Sequence, residues 1–463
     1  MNRREMLKAA GAGAGMTGNW LRAIPLGSIL TGLLVSMVTP TLAQILPAPG
    51  AVNKEFYFGA GSPPSGFVQA LPQTVYSRER GYGFEQPVQA SSQDKERAAL
   101  CSDKPFLFSV AVPEGNYNVT VTLGDRSVDS FITIKAEARR LMLENIHASP
   151  GHLQTRAFTV NVRVPQITNG GKVQLKPREL ASFDWDGKLT LEFNGIHPCV
   201  SRLEISSATT AITVFLAGDS TVVDQTSEPW AAWGQMLPRF FGPEVAIANH
   251  AESGESLKSF MYEHRLEKIL SAIKPGDYLF IQFAHNDQKP GKMHVDAFTT
   301  YKAYLKVLIA EARQRGAIPV LVTSMHRRSF APDGTITNTL LDYPEAMRQT
   351  SREDNAALVD LNAMSKLFYE ALGPEGSVKA FVHYPAGSFP GQAVALSDNT
   401  HFNAYGAYEL ARCIVEGVRN NHLGISAFLT TNVPFDPSHP DPVREFNLPP
   451  SPFLDADTPL GSR

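Results

Sequence analysis

Cysteine is scarce, with three residues in 463. That excludes a small scaffold stapled by several disulfides. An excess of one charge is missing too. Lys plus Arg number 42 against 45 Asp plus Glu, a formal net charge of -3. No basic surplus points to nucleic acid or to an anionic membrane surface. Charged residues make up 19% and hydrophobic residues 43%, so a wholly disordered chain is excluded. Beyond residue 43 no apolar run approaches the roughly 18 residues of a membrane helix. The sequence contains neither Gly-x-Ser-x-Gly nor His-Glu-x-x-His, which excludes a nucleophile elbow and a zinc-protease helix. Turn formers are plentiful, with 35 Gly and 33 Pro. At roughly 100–200 residues per domain, the length suggests two or three domains.

The N-terminus reads as an address. Arg3 and Arg4 stand in Asn2-Arg3-Arg4-Glu5-Met6-Leu7-Lys8, which resembles the twin-arginine export pattern. A weakly apolar stretch from Ala23 to Ala43 follows, and Leu42-Ala43 before Gln44 has the form of a small-residue cleavage site. Residues 1–43 are therefore expected to be an export signal. The mature protein is expected in the periplasm or outside a bacterial cell, free of the membrane. The alternative is an uncleaved anchor, although Pro25 and Pro40 interrupt its apolar run.

Two folded regions and a tail follow. From 51 to 208, short alternating runs lie between turn residues. Tyr117-Asn118-Val119-Thr120-Val121-Thr122-Leu123 alternates with period two and stops at Gly124-Asp125. Leu189-Thr190-Leu191-Glu192-Phe193 ends at Asn194-Gly195 in the same way. This spacing predicts a β-sandwich. From 212 to 422 the apolar runs Val214–Ala217, Val245–Ala248, Tyr278–Ile281, Val320–Val322 and Leu358–Val359 alternate with longer segments. Helices are expected over Thr300–Arg315 and Ala404–Arg419. This alternation predicts a parallel sheet with helices on both faces, which holds ligands beyond the carboxyl ends of its strands. Residues 423–463 carry little periodicity and read as an extended wrap or a disordered tail, with the fold finished near residue 422.

The candidate chemistry lies at those strand ends. Gly218-Asp219-Ser220-Thr221 follows the first α/β strand, and a serine there can present its hydroxyl to a cleft. A serine nucleophile needs a base, and the base an orienter. Asp398-Asn399-Thr400-His401 offers both. A second Asp-x-x-His, Asp436-Pro437-Ser438-His439, lies in the tail with no element to fix it, and is read as a decoy. Acyl transfer also needs donors for the developing oxyanion. Asn286, in Gln282-Phe283-Ala284-His285-Asn286-Asp287, and Gly254, in Glu252-Ser253-Gly254-Glu255, follow two further strands.

These blocks, in this order, resemble the SGNH (GDSL-type) hydrolases. Leu216-Ala217-Gly218-Asp219-Ser220-Thr221, Trp233-Gly234-Gln235, Gln282 to Asp287 and Asp398-Asn399-Thr400-His401-Phe402-Asn403 are similar to the strings of rhamnogalacturonan acetylesterases, carbohydrate esterase family 12. Gly81-Tyr82-Gly83-Phe84 belongs to a region that resembles the galactose-binding-like sandwich preceding some bacterial members. The resemblance implies a three-layer, flavodoxin-like α/β domain behind a β-sandwich. It implies a serine esterase that removes acetyl groups from a plant cell-wall polysaccharide, with no metal or organic cofactor. Ser220, Asp398 and His401 would be catalytic. The Ser220 and Gly254 N–H groups and the Asn286 side chain would bind the oxyanion, and His285 and Trp233 would contact substrate. The family usually has Gly where this chain has Ala284, and Glu252 and Glu255 flank Gly254 unusually. Alternatives are another SGNH esterase, acting on xylan or lipid, or a non-catalytic carbohydrate-binding protein. Cys101 and Cys199, both in the sandwich region, are expected to pair if export exposes them to oxidation. Two buried thiols are the alternative.

Overall fold

In the computed structural model the described residues are 50–91, 97–168 and 170–452. The export-like segment 1–43 lies outside them. Among the described residues no helix is long and apolar enough to cross a membrane.

The first half forms two antiparallel-rich sheets. One runs in the order Val68–Gln69, Asn53–Tyr57, Cys199–Ser207, Gly115–Leu123, Gln154–Val162, with Leu100–Cys101 also paired to Cys199–Ser207. The other runs Tyr82–Phe84, Phe106–Ala111, Lys188–Ile196, Ser130–Ala136, Arg140–Ala148. Alternation explains the packing. Along Gly115–Leu123, Tyr117, Val119, Val121 and Leu123 are buried while the residues between them are half-buried. They meet Phe108, Leu191 and Phe193 of the facing sheet in one core. Cys101 lies opposite Cys199 across an antiparallel pair, and the two form a disulfide. Of the aromatic residues in this half, Phe84 is fully buried and Tyr76 nearly so, while Tyr82 is half-buried.

The second half is a five-stranded parallel sheet in the order Val245–Asn249, Ile212–Gly218, Tyr278–Gln282, Ile318–Val322, Ala357–Val359. In chain order this is 2-1-3-4-5, the flavodoxin-like arrangement. The central strands are almost continuously apolar because both faces are covered. Val214 and Leu216 pack into one layer with the helix Ala404–Asn420. Phe215 and Ala217 pack into the other with the helix Lys302–Gln314. Burial of the Val214, Phe215 and Leu216 side chains contributes roughly 1.5–3 kcal/mol each. The chain reverses its winding between the first and third strands, so their carboxyl ends open the crevice that a ligand can enter.

The fold does not finish near residue 422. Ile425 and Phe435 are buried, and Phe446 packs on Tyr405 and Tyr408 at ring distances of 5.6 and 5.3 Å. The tail then returns to the β-rich half, where Lys135 Nζ donates to the Pro449 carbonyl at 2.8 Å and Asn194 Nδ2 to that of Pro450 at 2.9 Å. A proline-rich chain has no helical or strand period, so these anchors leave no pattern in the sequence.

The two halves belong to one compact unit, and charge is buried where they meet. Arg140, 1% exposed, lies 3.2 Å from Asp224 through Nε and donates to the Ile247 carbonyl at 3.2 Å. Arg163 approaches Asp184 at 3.4 Å and Asp224 at 3.7 Å. Burial, reinforced by the neighbouring Asp184, pushes the Asp224 carboxyl up to about 7 against the pull of both arginines.

Candidate active site

Ser220 sits on the turn leaving the first central strand. That turn is braced from several sides. Asp219 Oδ1 accepts from the Thr221 N–H at 2.9 Å and its hydroxyl at 2.7 Å. Thr221 Oγ1 in turn accepts from Gln282 Nε2 at 2.7 Å. Trp233 Nε1 donates to Gln282 Oε1 at 2.8 Å, and Asn249 Nδ2 donates to the Val222 carbonyl at 2.7 Å. Gly234 passes close beneath: a Cβ there would stand 2.2 Å from the Val222 carbonyl oxygen, so no larger residue fits without moving the turn.

Asp398 and His401 come from the hairpin strand Leu396–Phe402, paired with Phe381–Tyr384. The register jumps there. Phe381 faces Phe402 while Val382 faces Asp398, so Asn399, Thr400 and His401 bulge away from the ladder. Asp398 Oδ1 closes the bulge by accepting from the N–H groups of Thr400 and His401 at 2.8 and 3.0 Å. His401 Nδ1 donates to Asp398 Oδ2 at 2.7 Å. A carboxylate only accepts, so Nδ1 carries the ring hydrogen and Nε2 offers a lone pair. The Ser220 hydroxyl donates to that lone pair at 2.8 Å. Burial raises the Asp398 carboxyl, but the His401 ring and the two N–H groups outweigh it and hold the group at about 2.

The remaining candidates gather at the same strand ends. Gly254 has φ +86°, a left-handed conformation that glycine adopts at no steric cost. Neither its N–H nor that of Ser220 makes a hydrogen bond among the described residues. Asn286 Nδ2 donates to the Glu255 carbonyl at 3.0 Å, which ties its loop to that of Gly254 and leaves a second amide hydrogen. Asn286 Oδ1 accepts from Lys289 Nζ at 2.6 Å, so the amide nitrogen faces the loop. Asp287 is fully buried, and its Oδ1 accepts from the Leu257 N–H at 2.8 Å. Burial pushes its carboxyl up to about 8.

Two expected substrate contacts fall elsewhere. Trp233 is 1% exposed and braces Gln282, so it is a support beneath the turn. His285 is 2% exposed, and burial, with Arg327 next, drives its ring well below the usual histidine range and keeps it neutral. An aromatic residue or histidine beside a motif carries no sign of which side of the sheet it faces. Ala284 is buried and its methyl joins the core layer of Phe215 and Leu279. The tail copy closes the same local ring, with His439 Nδ1 donating to Asp436 Oδ2 at 2.8 Å. Its side chains are 82% and 58% exposed, and among the described residues no serine hydroxyl meets His439 Nε2. Beside the hairpin lies a cleft of about 460 Å³ lined in part by His383, Tyr384, Phe389, Phe446 and Glu228.

A hydroxyl, an imidazole and a carboxylate in series, with unpaired N–H groups at neighbouring strand ends, define a hydrolase built for acyl transfer. The chain belongs to the GDSL-like Lipase/Acylhydrolase family, whose profile matches residues 216–407. It is 42% identical over 222 residues to "Rhamnogalacturonan acetylesterase RhgT" of Bacillus subtilis (strain 168), covering 48% of this chain and 95% of that protein. It is 37% identical to "Probable rhamnogalacturonan acetylesterase YesY" of the same organism, over 44% of this chain and 92% of that one. A third relative, "Uncharacterized esterase YxiM", also from Bacillus subtilis, is 27% identical over 81% of this chain and 92% of its own. A solved structure of YxiM covers 81% of this chain and 99% of its own at 26% identity, with a TM-score of 0.44.

Proposed function

We propose that this protein is a serine esterase that removes acetyl groups from a plant cell-wall polysaccharide, with acetylated rhamnogalacturonan the foremost substrate. The Ser220–His401–Asp398 chain of hydrogen bonds carries the reading. The names of the relatives at 42% and 37% identity support the substrate class.

In this mechanism Ser220 Oγ attacks the acetyl carbonyl while His401 Nε2 takes its proton. The Ser220 and Gly254 N–H groups and the free Asn286 amide hydrogen receive the oxyanion. Collapse of the tetrahedral adduct expels the sugar oxygen, which His401 protonates. Water, deprotonated by the same imidazole, then attacks the acetyl-serine. Acetate leaves and the Ser220 hydroxyl is restored. Asp398 keeps the ring in the tautomer both half-reactions need and stabilises the imidazolium. The cleft beside the Asp398–His401 hairpin, lined in part by the half-buried rings of Tyr384, Phe389 and Phe446, favours a substrate larger than a simple acetate ester. The Arg3-Arg4 pair and the apolar stretch after it support export, where such a polymer would be met. Acetate release from acetylated rhamnogalacturonan, acetylated xylan and an aryl acetate tests the reading. Release from the pectic polymer should exceed that from xylan and vanish in Ser220→Ala. Faster release from xylan would transfer the assignment to the xylan esterases.

A further inference from the structure

The Gly254 loop is held by residues outside the α/β half. Lys176 and Arg178 belong to the β-rich half, at the start of the short helix Pro177–Leu180. Lys176 Nζ donates to the Ser253 carbonyl at 2.9 Å, and Arg178 Nη2 donates to the same oxygen. Each cation is also paired with one of the acids flanking Gly254, Lys176 with Glu255 and Arg178 with Glu252. Both acids are buried, at 0% and 4% exposure. The segment that carries the cations is itself fixed. Glu179 accepts from the Lys176 N–H at 2.8 Å and takes two hydrogen bonds from the fully buried Arg265, at 3.0 and 2.6 Å. The Gln174 N–H donates to the Glu263 carbonyl at 3.0 Å.

The oxygen they grip belongs to the peptide unit whose nitrogen is that of Gly254. In a trans peptide the C=O and N–H point in opposite directions. Two cations on the oxygen therefore hold the plane of that peptide and turn its N–H away from the clamp. Charge-assisted bonds to the oxygen also draw electrons from the nitrogen side and strengthen the N–H as a donor. Because each cation is matched by a buried carboxylate, the effect is local to the peptide.

We propose that Lys176 and Arg178 are positioning residues of the esterase, which orient and polarise the Ser253–Gly254 peptide for the oxyanion. This rests on the reading of the Gly254 N–H as an oxyanion donor. It makes the β-rich half a working part of the catalytic centre.

The test uses the full chain with Lys176→Met, Arg178→Ala and their combination, beside Lys176→Arg, Arg178→Lys and Asn286→Ala. Steady-state rates on an aryl acetate, phosphonylation of Ser220 by an aryl phosphonate and melting temperature are measured for each. Removing one oxyanion donor typically costs about 10²–10³ in kcat. Each single clamp variant should lose about tenfold in kcat and the pair about 10², with KM within about twofold. Phosphonylation should slow in parallel, and the charge-conserving variants should recover most of the rate. Arg178 is 51% exposed, so Arg178→Ala remains informative if Lys176→Met fails to fold. A double variant with wild-type kcat per phosphonate-titrated site, while Asn286→Ala is crippled, overturns the clamp and leaves the esterase intact. A wild-type protein that neither releases acetate nor reacts with phosphonate overturns both.

Discussion

Replacing Asp398 by asparagine tests the tautomer logic of the site with minimal change of shape. Asp398 Oδ1 accepts from two backbone N–H groups, those of Thr400 and His401. An amide nitrogen cannot take that place, because it would face two donors. The asparagine oxygen must therefore occupy the Oδ1 position and its NH2 group the Oδ2 position, which lies 2.7 Å from His401 Nδ1 in the native protein. Nδ1 must then accept a hydrogen bond, which moves the ring hydrogen to Nε2 and aims it at Ser220 Oγ. That imidazole has no lone pair for the serine proton. Such a wrong tautomer costs about 10⁴ in kcat in a serine hydrolase of this design, equivalent to about 5 kcal/mol of transition-state stabilisation. The two backbone bonds survive, so the melting temperature should stay within a few degrees of the parent. Initial rates on an aryl acetate, with active sites titrated by phosphonate, provide the assay. A kcat within tenfold of the parent in folded Asp398→Asn would refute the argument.

Four further outcomes follow from the same structure. Ser220→Ala and His401→Ala should each lose nearly all acetate release, by several orders of magnitude. His439→Ala should be silent, since among the described residues its exposed ring reaches no serine through Nε2; equal losses on the same aryl acetate would contradict the assignment. Denatured without reductant, the protein should show one thiol, Cys413, because Cys101 and Cys199 are joined; three reactive thiols would disprove the bridge. Asp287 holds its proton up to about 8 in the folded protein, against roughly 3.9 unfolded. The native state therefore binds an extra proton through that window. The resulting stability is complete below pH 4 and is lost as pH rises through 8, on the order of a few kcal/mol. Asp287→Asn keeps an acceptor for the Leu257 N–H, and should flatten the fall in urea midpoint between pH 5 and pH 9; parallel curves would refute this. A chain begun at residue 209 strips Glu179 from the buried Arg265 and the clamp from Ser253. It should lose activity on small esters and polymer together. A soluble truncation with full aryl acetate activity would contradict the shared-site reading.

The family relationship was legible in ordered short strings, because SGNH-type chemistry is placed at the ends of successive strands and chain order preserves that sequence. The substrate contacts were not. Trp233 and His285 stand in recognisable strings, yet both are buried, since a motif fixes position along the chain and not the side of the sheet a ring faces. Lys176 and Arg178 carried no signal at all, because a clamp between two folded halves needs only cations at the right place in space.

The two Asp-x-x-His segments divide what the sequence decides from what tertiary structure decides. Both close the same ring, with carboxylate–imidazole distances of 2.7 and 2.8 Å, because three residues of chain suffice to bring the groups together and local hydrogen bonds fix the turn. The sequence alone thus determines two orienter–base pairs. Which of them meets a serine is a different matter. Ser220 lies 181 residues from His401, and their approach depends on the 2-1-3-4-5 strand order, on the bulged hairpin that lifts His401, and on the core layers that fix both. Those contacts are won by long-range burial, which no short stretch of sequence contains.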